Sequence, residues 1–358
     1  MSKNIIHFIT DGLNLTPKEY SQMLLKLTQI SKIEPDEYSL GGCVKELEEK
    51  FAKLLGKEKA IFMPTGTLAN HLAIRTLAGN KNRVIVPTES HIYNDSGDCL
   101  QSLSGLNLIA LSSQEKTLDL EKTNLATFSL EDVKKTLKRT LSGRVATQVG
   151  VIVIETPVRR LSGQMFDYQE LINITRFARE NNIKTHLDGA RLFIASSYSG
   201  ISPLEYSSHF DTVYISLYKY FNASGGAVLA GSKSVIENMF HTRRMFGAGI
   251  AEVWPYAIVA DHYLTGFSEH FNTAKESAEK VFQFLEKHPQ FEVKKVFNGT
   301  NLYKLKLNGI DAKSFRKSML NKDVLLRAVS EDFNGFWLCL NESINQISTQ
   351  ELAEKFIL

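Results

Sequence analysis

Two periods organise the apolar positions along the chain. Mainly apolar runs of strand length occur at residues 60–63, 83–87, 106–111 and 149–155, the last rich in β-branched side chains. Between them, residues 16–30, 44–55, 67–77, 130–141 and 168–181 carry apolar side chains at helical spacing, with charges on the opposite face. Thr16-Pro17 reads as a cap and first turn for the first of these helices. Further strands are predicted at 183–188, 211–217 and 227–230, with helices over 234–244 and over 251–288, the latter broken near Gly266. Strands alternating with helices predict βαβ crossovers and a mainly parallel sheet. From Leu302 the texture changes. Alternation over 302–307, a helix at 312–320, strands near Val324 and Phe336 and a final helix from Thr349 predict a small α+β domain. The expected division is an N-terminal segment (1–35) packing on the small domain or a partner subunit, a large domain (36–265) and a small C-terminal domain (266–358).

Composition narrows the class. The 358 residues are 43% hydrophobic and 23% charged, ordinary for a water-soluble globular chain. The net charge of +3 is spread along the sequence, so no concentrated basic face invites nucleic acid or an anionic membrane. Cys43, Cys99 and Cys339 are isolated and odd in number, which argues against a disulfide scaffold and for a reducing compartment. The N-terminus lacks a signal-peptide core, and no run approaches the length of a membrane span. A cytoplasmic location is expected, and no residue is assigned to a metal.

Two strands end in charges. Residues 183–188 close on Asp188, in His186-Leu187-Asp188-Gly189-Ala190-Arg191, and 213–217 lead to Lys219. Asp and Lys are rarely buried without a partner, and ligands of open α/β sheets bind beyond the carboxyl ends of the strands. No other charge lies within 215–221, so Lys219 is a desolvated amine of lowered pKa, nucleophilic towards an aldehyde. The plain alternative is a lysine snorkelling from a strand end. An Asp facing that amine would keep a pyridine nitrogen protonated, the arrangement that pyridoxal phosphate uses. Its plain alternative is an Asx turn with Gly189. Pro64-Thr65-Gly66-Thr67-Leu68-Ala69-Asn70 is a strand–turn–helix junction, where Gly66 and Thr67 would hold a phosphate at a helix N-terminus. Ser216 would add a hydroxyl to that phosphate. His91, in Glu89-Ser90-His91-Ile92-Tyr93, would stack on the ring, unless it is a surface-loop histidine. Arg191 is close enough in sequence to Asp188 to touch the same ligand or simply to pair with an acid.

In this order, those segments resemble the threonine aldolase and β-eliminating lyase branch of the fold-type-I pyridoxal-phosphate enzymes, over roughly residues 36–265. The resemblance implies an α/β fold-type-I architecture, a large domain with a mainly parallel seven-stranded sheet plus a small C-terminal α+β domain. It implies Lys219 as the Schiff-base lysine, Asp188 at the ring nitrogen, His91 on the ring face and Gly66 and Thr67 at the phosphate. It places Arg191 near the cofactor phenolate or the substrate carboxylate, and Tyr38 near a homodimer or homotetramer interface. The implied reaction is threonine-aldolase-like Cα–Cβ cleavage of a β-hydroxy or β-substituted L-amino acid, through a Schiff base and a quinonoid. The rivals are β-elimination, aminotransfer or racemisation on the same scaffold, or a cofactor-binding homologue without catalysis.

The substrate side departs from the family pattern. After the 149–155 strand the chain reads Glu155-Thr156-Pro157-Val158-Arg159, with Val158 at the position of the family's histidine. The family's late arginine falls near Trp337. Arg159 and Arg327 are the replacements expected to meet a substrate carboxylate.

Overall fold

The structure, a computed structural model, describes residues 5–115 and 117–357. The first four residues of the expected N-terminal segment and the last residue of the small domain lie outside the described residues. Among those described, twelve strands follow in order: β1 (Ile6–His7), β2 (Lys59–Met63), β3 (Arg83–Pro87), β4 (Asn107–Leu111), β5 (Val149–Glu155), β6 (Lys184–Asp188), β7 (Thr212–Ser216), β8 (Ala227–Gly231), β9 (Phe291–Lys295), β10 (Leu302–Leu307), β11 (Val324–Leu325) and β12 (Gly335–Cys339). Seven form one sheet in the order β2-β8-β7-β6-β5-β3-β4. Only β8 runs antiparallel, to both β2 and β7. Every residue of β5 is buried, as its continuous β-branched run requires of a strand covered on both faces.

The helices follow from local chemistry. Pro17–Ile30 opens with a capping box, Thr16 and Glu19 exchanging hydrogen bonds, and proline at the first position. Leu130–Leu141 is capped the same way by Ser129 and Asp132. Gly66–Ala78 is capped by Thr65, whose side chain accepts from the Leu68 amide. It packs a mostly apolar surface beneath the sheet. The predicted break in the 251–288 helix is present: Trp254–Leu264 and Phe267–Leu285 meet at Gly266, which adopts φ 77°. The helix expected over 234–244 is two shorter ones, Lys233–Ile236 and Met239–Met245. Leu192–Ser199 was not anticipated, because Leu192, Phe193, Ile194 and Ala195 are all buried and leave no polar face to mark a period.

The C-terminal part carries a three-stranded antiparallel sheet, β12-β10-β9. The N-terminal residues join it: β1 pairs in parallel with β11, and the Phe8 carbonyl accepts from the Cys339 amide at 3.0 Å. The first long helix instead packs Leu27 with Ile258 and Val259. No helix among the described residues is long and apolar enough to cross a membrane.

Candidate active site

A cavity of about 1150 Å³ opens at the carboxyl ends of β5, β6 and β7. Gly66, Thr67, His91, Arg159, Asp188, Arg191, Lys219 and Arg327 all line it, brought together from six separate segments. Ser216 does not. It is fully buried at the end of β7, and its Oγ has no hydrogen-bond partner among the described residues. Tyr38 lies outside as well. It is exposed in a turn, its carbonyl accepting from Arg243 Nη2 at 3.1 Å and its ring 4.9 Å from the Arg244 guanidinium. Val158 is completely buried and also absent from the cavity wall.

Asp188 is held by a relay that crosses the sheet. Asn70 Nδ2 donates to Asp188 Oδ2 at 2.6 Å, and the Ala190 amide donates to Oδ1 at 3.2 Å. Asn70 Oδ1 lies 2.8 Å from His186 Nε2, and His186 Nδ1 lies 2.8 Å from Thr212 Oγ1. With its amide nitrogen committed to Asp188, Asn70 accepts through Oδ1, so His186 carries its proton on Nε2 and accepts from Thr212. Burial lowers the His186 pKa to about 4 and keeps it neutral. The result is a carboxylate fixed in orientation at the end of a buried strand.

Lys219 differs in kind. Its amine makes no hydrogen bond or ion pair among the described residues, and its neighbours are the rings of Tyr218 and Tyr214, 5.4 Å and 6.0 Å away. Burial lowers its pKa to about 8, assisted by the Arg191 charge and opposed by Asp188, Asp11 and Glu155. Such an amine is part free base near neutrality and available to react. His91 begins a short helix, His91–Asn94, and its Nδ1 is buried with no hydrogen-bond partner among the described residues.

Three site residues were not singled out from the sequence. Glu155 ends β5 in register with Asp188 and lines the cavity. Its carboxylate accepts from the His91 amide at 2.7 Å and the Arg159 amide at 3.2 Å, so it fixes both segments. Burial, and then Asp188, raise its pKa well above the usual carboxylate range. Its position at the end of the strongest strand was the available signal, by the same logic that selected Asp188. Asn70 stood in the quoted motif without a role. Asp11 gave no signal at all. Its Oδ2 accepts from Arg191 Nε at 2.8 Å, and its Oδ1 from Asn301 Nδ2 at 3.1 Å. Although burial opposes it, Arg191 holds the Asp11 carboxyl below the usual range.

The glycines of the site serve close approach. A Cβ on Gly66 would lie 1.9 Å from the Tyr214 hydroxyl, and one on Gly12 would lie 2.3 Å from the Lys219 carbonyl oxygen. The N-terminal segment is therefore pressed against the lysine loop, where the Leu13 amide also donates to Asn222 Oδ1 at 2.6 Å. Chemically, the site pairs a reactive amine with an oriented carboxylate, next to open amides at a helix N-terminus and several guanidinium groups.

The chain matches the family described as Beta-eliminating lyase over residues 23–307. It is 30% identical over 244 residues to a low-specificity L-threonine aldolase of Candida albicans, covering 68% of this chain and 62% of that one. The chain spans about half to three-fifths of the length of the curated relatives it matches. A solved structure from Exiguobacterium sp. 255-15, described as a candidate aromatic amino acid beta-eliminating lyase/threonine aldolase, aligns with a TM-score of 0.79 at 22% identity, over 98% of this chain and 95% of that one. Another, from Listeria monocytogenes EGD-E and described as a candidate L-allo-threonine aldolase, aligns at 0.75 with 25% identity, over 98% and 94%.

Proposed function

The chain belongs to the β-eliminating lyase family, and from that premise we propose that it is a pyridoxal-phosphate-dependent lyase cleaving the Cα–Cβ bond of a β-hydroxy or β-substituted L-amino acid. The observation that carries the proposal is the Lys219 amine, unpaired and of lowered pKa, lining the same cavity as a rigidly held Asp188.

The residues present fit the cofactor. His91 Nδ1 is a buried polar atom without a partner, and Lys219 has no acid within ion-pairing distance among the described residues. The turn capped by Thr65 opens to the cavity at Gly66 and Thr67. Lys219 would hold the aldehyde carbon, Asp188 the pyridine nitrogen, and Gly66 and Thr67 the phosphate. When bound, pyridoxal phosphate supplies an electron sink for the charge left at Cα. The chain's own residues do the rest. Asp188, kept in one orientation by Asn70 and Ala190, keeps a proton on the pyridine nitrogen. Lys219 Nζ takes up and returns protons, which a pKa of about 8 suits at neutral pH. His91, fixed by the bond from its amide to Glu155, would lay its ring on the pyridine face. Val158, buried beyond the wall, supplies no base for a β-hydroxyl. We further propose that Tyr38 serves a neighbouring copy in a homodimer or dimer of dimers, and that the chain divides at about residues 35 and 265.

The test is product analysis with L-threonine and L-serine. Acetaldehyde with glycine from threonine supports carbon–carbon cleavage. Pyruvate with ammonia from serine, and no aldehyde from threonine, replaces it with β-elimination.

A further inference from the structure

We infer that Arg327 is the residue that anchors the substrate α-carboxylate. The inference rests on the lyase reading and extends it to a part of the cavity that reading leaves unassigned. Four cations line the cavity: Arg159, Arg191, Lys219 and Arg327. Their surroundings separate them.

Arg191 is spent. Its Nε is bonded to Asp11 at 2.8 Å, both side chains are largely buried, and Asp11 is secured in turn by Asn301. A second carboxylate arriving there would share the guanidinium with Asp11, whose like charge opposes it. Lys219 is committed to the aldehyde. Arg159 is exposed, and only its backbone is fixed, through Glu155. Its guanidinium makes no hydrogen bond or ion pair among the described residues, so ordering it around a ligand costs rotamer entropy.

Arg327 combines an anchored guanidinium with the absence of any paired acid among the described residues. It is half-buried, and its Nε donates to the Ile9 carbonyl at 2.9 Å. That bond immobilises the plane of the guanidinium and uses one donor. The two terminal nitrogens have no partner among the described residues, and they belong to a residue that lines the cavity. A planar fork with two unpartnered donors is the arrangement that binds a carboxylate bidentately. The backbone around it is also fixed, by fully buried Leu326 on one side and by the pairing of Val324 with Ile6 just before it. Trp337 offers no competing contact, since its ring packs on Phe333 at 6.0 Å and does not line the cavity.

The experiment uses the cofactor-loaded protein and two probes, glycine and methylamine, each titrated while the visible absorbance of the cofactor is followed. Both carry an amine, but only glycine carries a carboxylate. Arg327→Ala should weaken the apparent affinity for glycine by about 10- to 100-fold, the range for losing hydrogen bonds to a charged group. The methylamine response should stay at its wild-type value. Arg327→Lys, which keeps the charge without the fork, should fall between, and it stands in for the alanine variant should that fail to fold. An unchanged glycine affinity overturns the assignment. So does an equal loss for glycine and methylamine, which would mark a loosened N-terminal segment, or a larger loss from Arg159→Ala. A wild-type protein with no visible band at all would instead take down the lyase reading itself.

Discussion

The floor and the rim of the cavity are built on different principles. The floor consists of strand ends and the helix packed beneath them: Glu155, Asp188, Asn70 and His186, each side chain satisfied by close hydrogen bonds. The rim consists of segments far apart in sequence. Asp11 reaches Arg191 across 180 positions and Ile9 reaches Arg327 across 318. The floor sets what chemistry can occur, and it is rigid because buried polar networks tolerate no missing partner. The rim sets what enters. Val158 and Trp337 belong to neither, since both lie outside the cavity wall.

That contrast can be broken in graded steps. Asp188→Ala strikes the floor hardest, with an expected loss of about 10²- to 10⁴-fold in kcat/KM while circular dichroism stays unchanged. A smaller loss would mean the floor is not chemically special. Asp11→Ala strikes the junction of rim and floor. Leaving Arg191 without its acid should cost about 3–5 kcal/mol, read as a lower denaturation midpoint. Were the midpoint unmoved, the pair would be a surface contact in effect. Asn70→Ala removes partners from both Asp188 and His186, for an expected cost of about 1–3 kcal/mol. It should reduce activity more than Asp11→Asn does, because only Asn70 orients the acid of the floor. The smallest effect lies outside both regions: Thr16→Ala deletes a helix cap and should cost about 1 kcal/mol with no change in KM.

Charge behaviour separates the two regions as well. The folded protein holds the Lys219 pKa at about 8, below its ordinary 10.5. Between those values the unfolded chain binds the extra proton, so this group's contribution to stability is present above 10.5 and lost as the pH falls through 8. Glu155 acts oppositely. Its raised pKa gives stability at acid pH that is lost as the pH rises through the folded value, and Glu155→Gln should remove that slope from a midpoint-versus-pH series. In cofactor-free protein, acylation of Lys219 should titrate near pH 8; a midpoint near 10.5 would show an ordinary solvated lysine.

The floor was legible in the sequence because its information is local. An apolar run that ends in Asp188 or leads to Lys219 declares both the strand and the misplaced charge. The same rule was available for Glu155, whose seven-residue strand is wholly buried. It passed as a strand end because no glycine follows it directly to suggest a ligand turn. The rim was legible only in fragments. Asp11 sits between Thr10 and Gly12 with no apolar period around it, and its partner lies in another part of the chain. The helix Leu192–Ser199 escaped notice for want of a polar face.

The most direct measurement is borohydride reduction of the purified protein, followed by peptide mass mapping. A visible absorption band should vanish on reduction, and one peptide, the one containing Lys219, should gain the mass of the reduced cofactor. Lys219→Ala should show neither the band nor the adduct. An adduct on a different lysine, or a visible band that survives in Lys219→Ala, would contradict the assignment of that amine as the point where the cofactor is held.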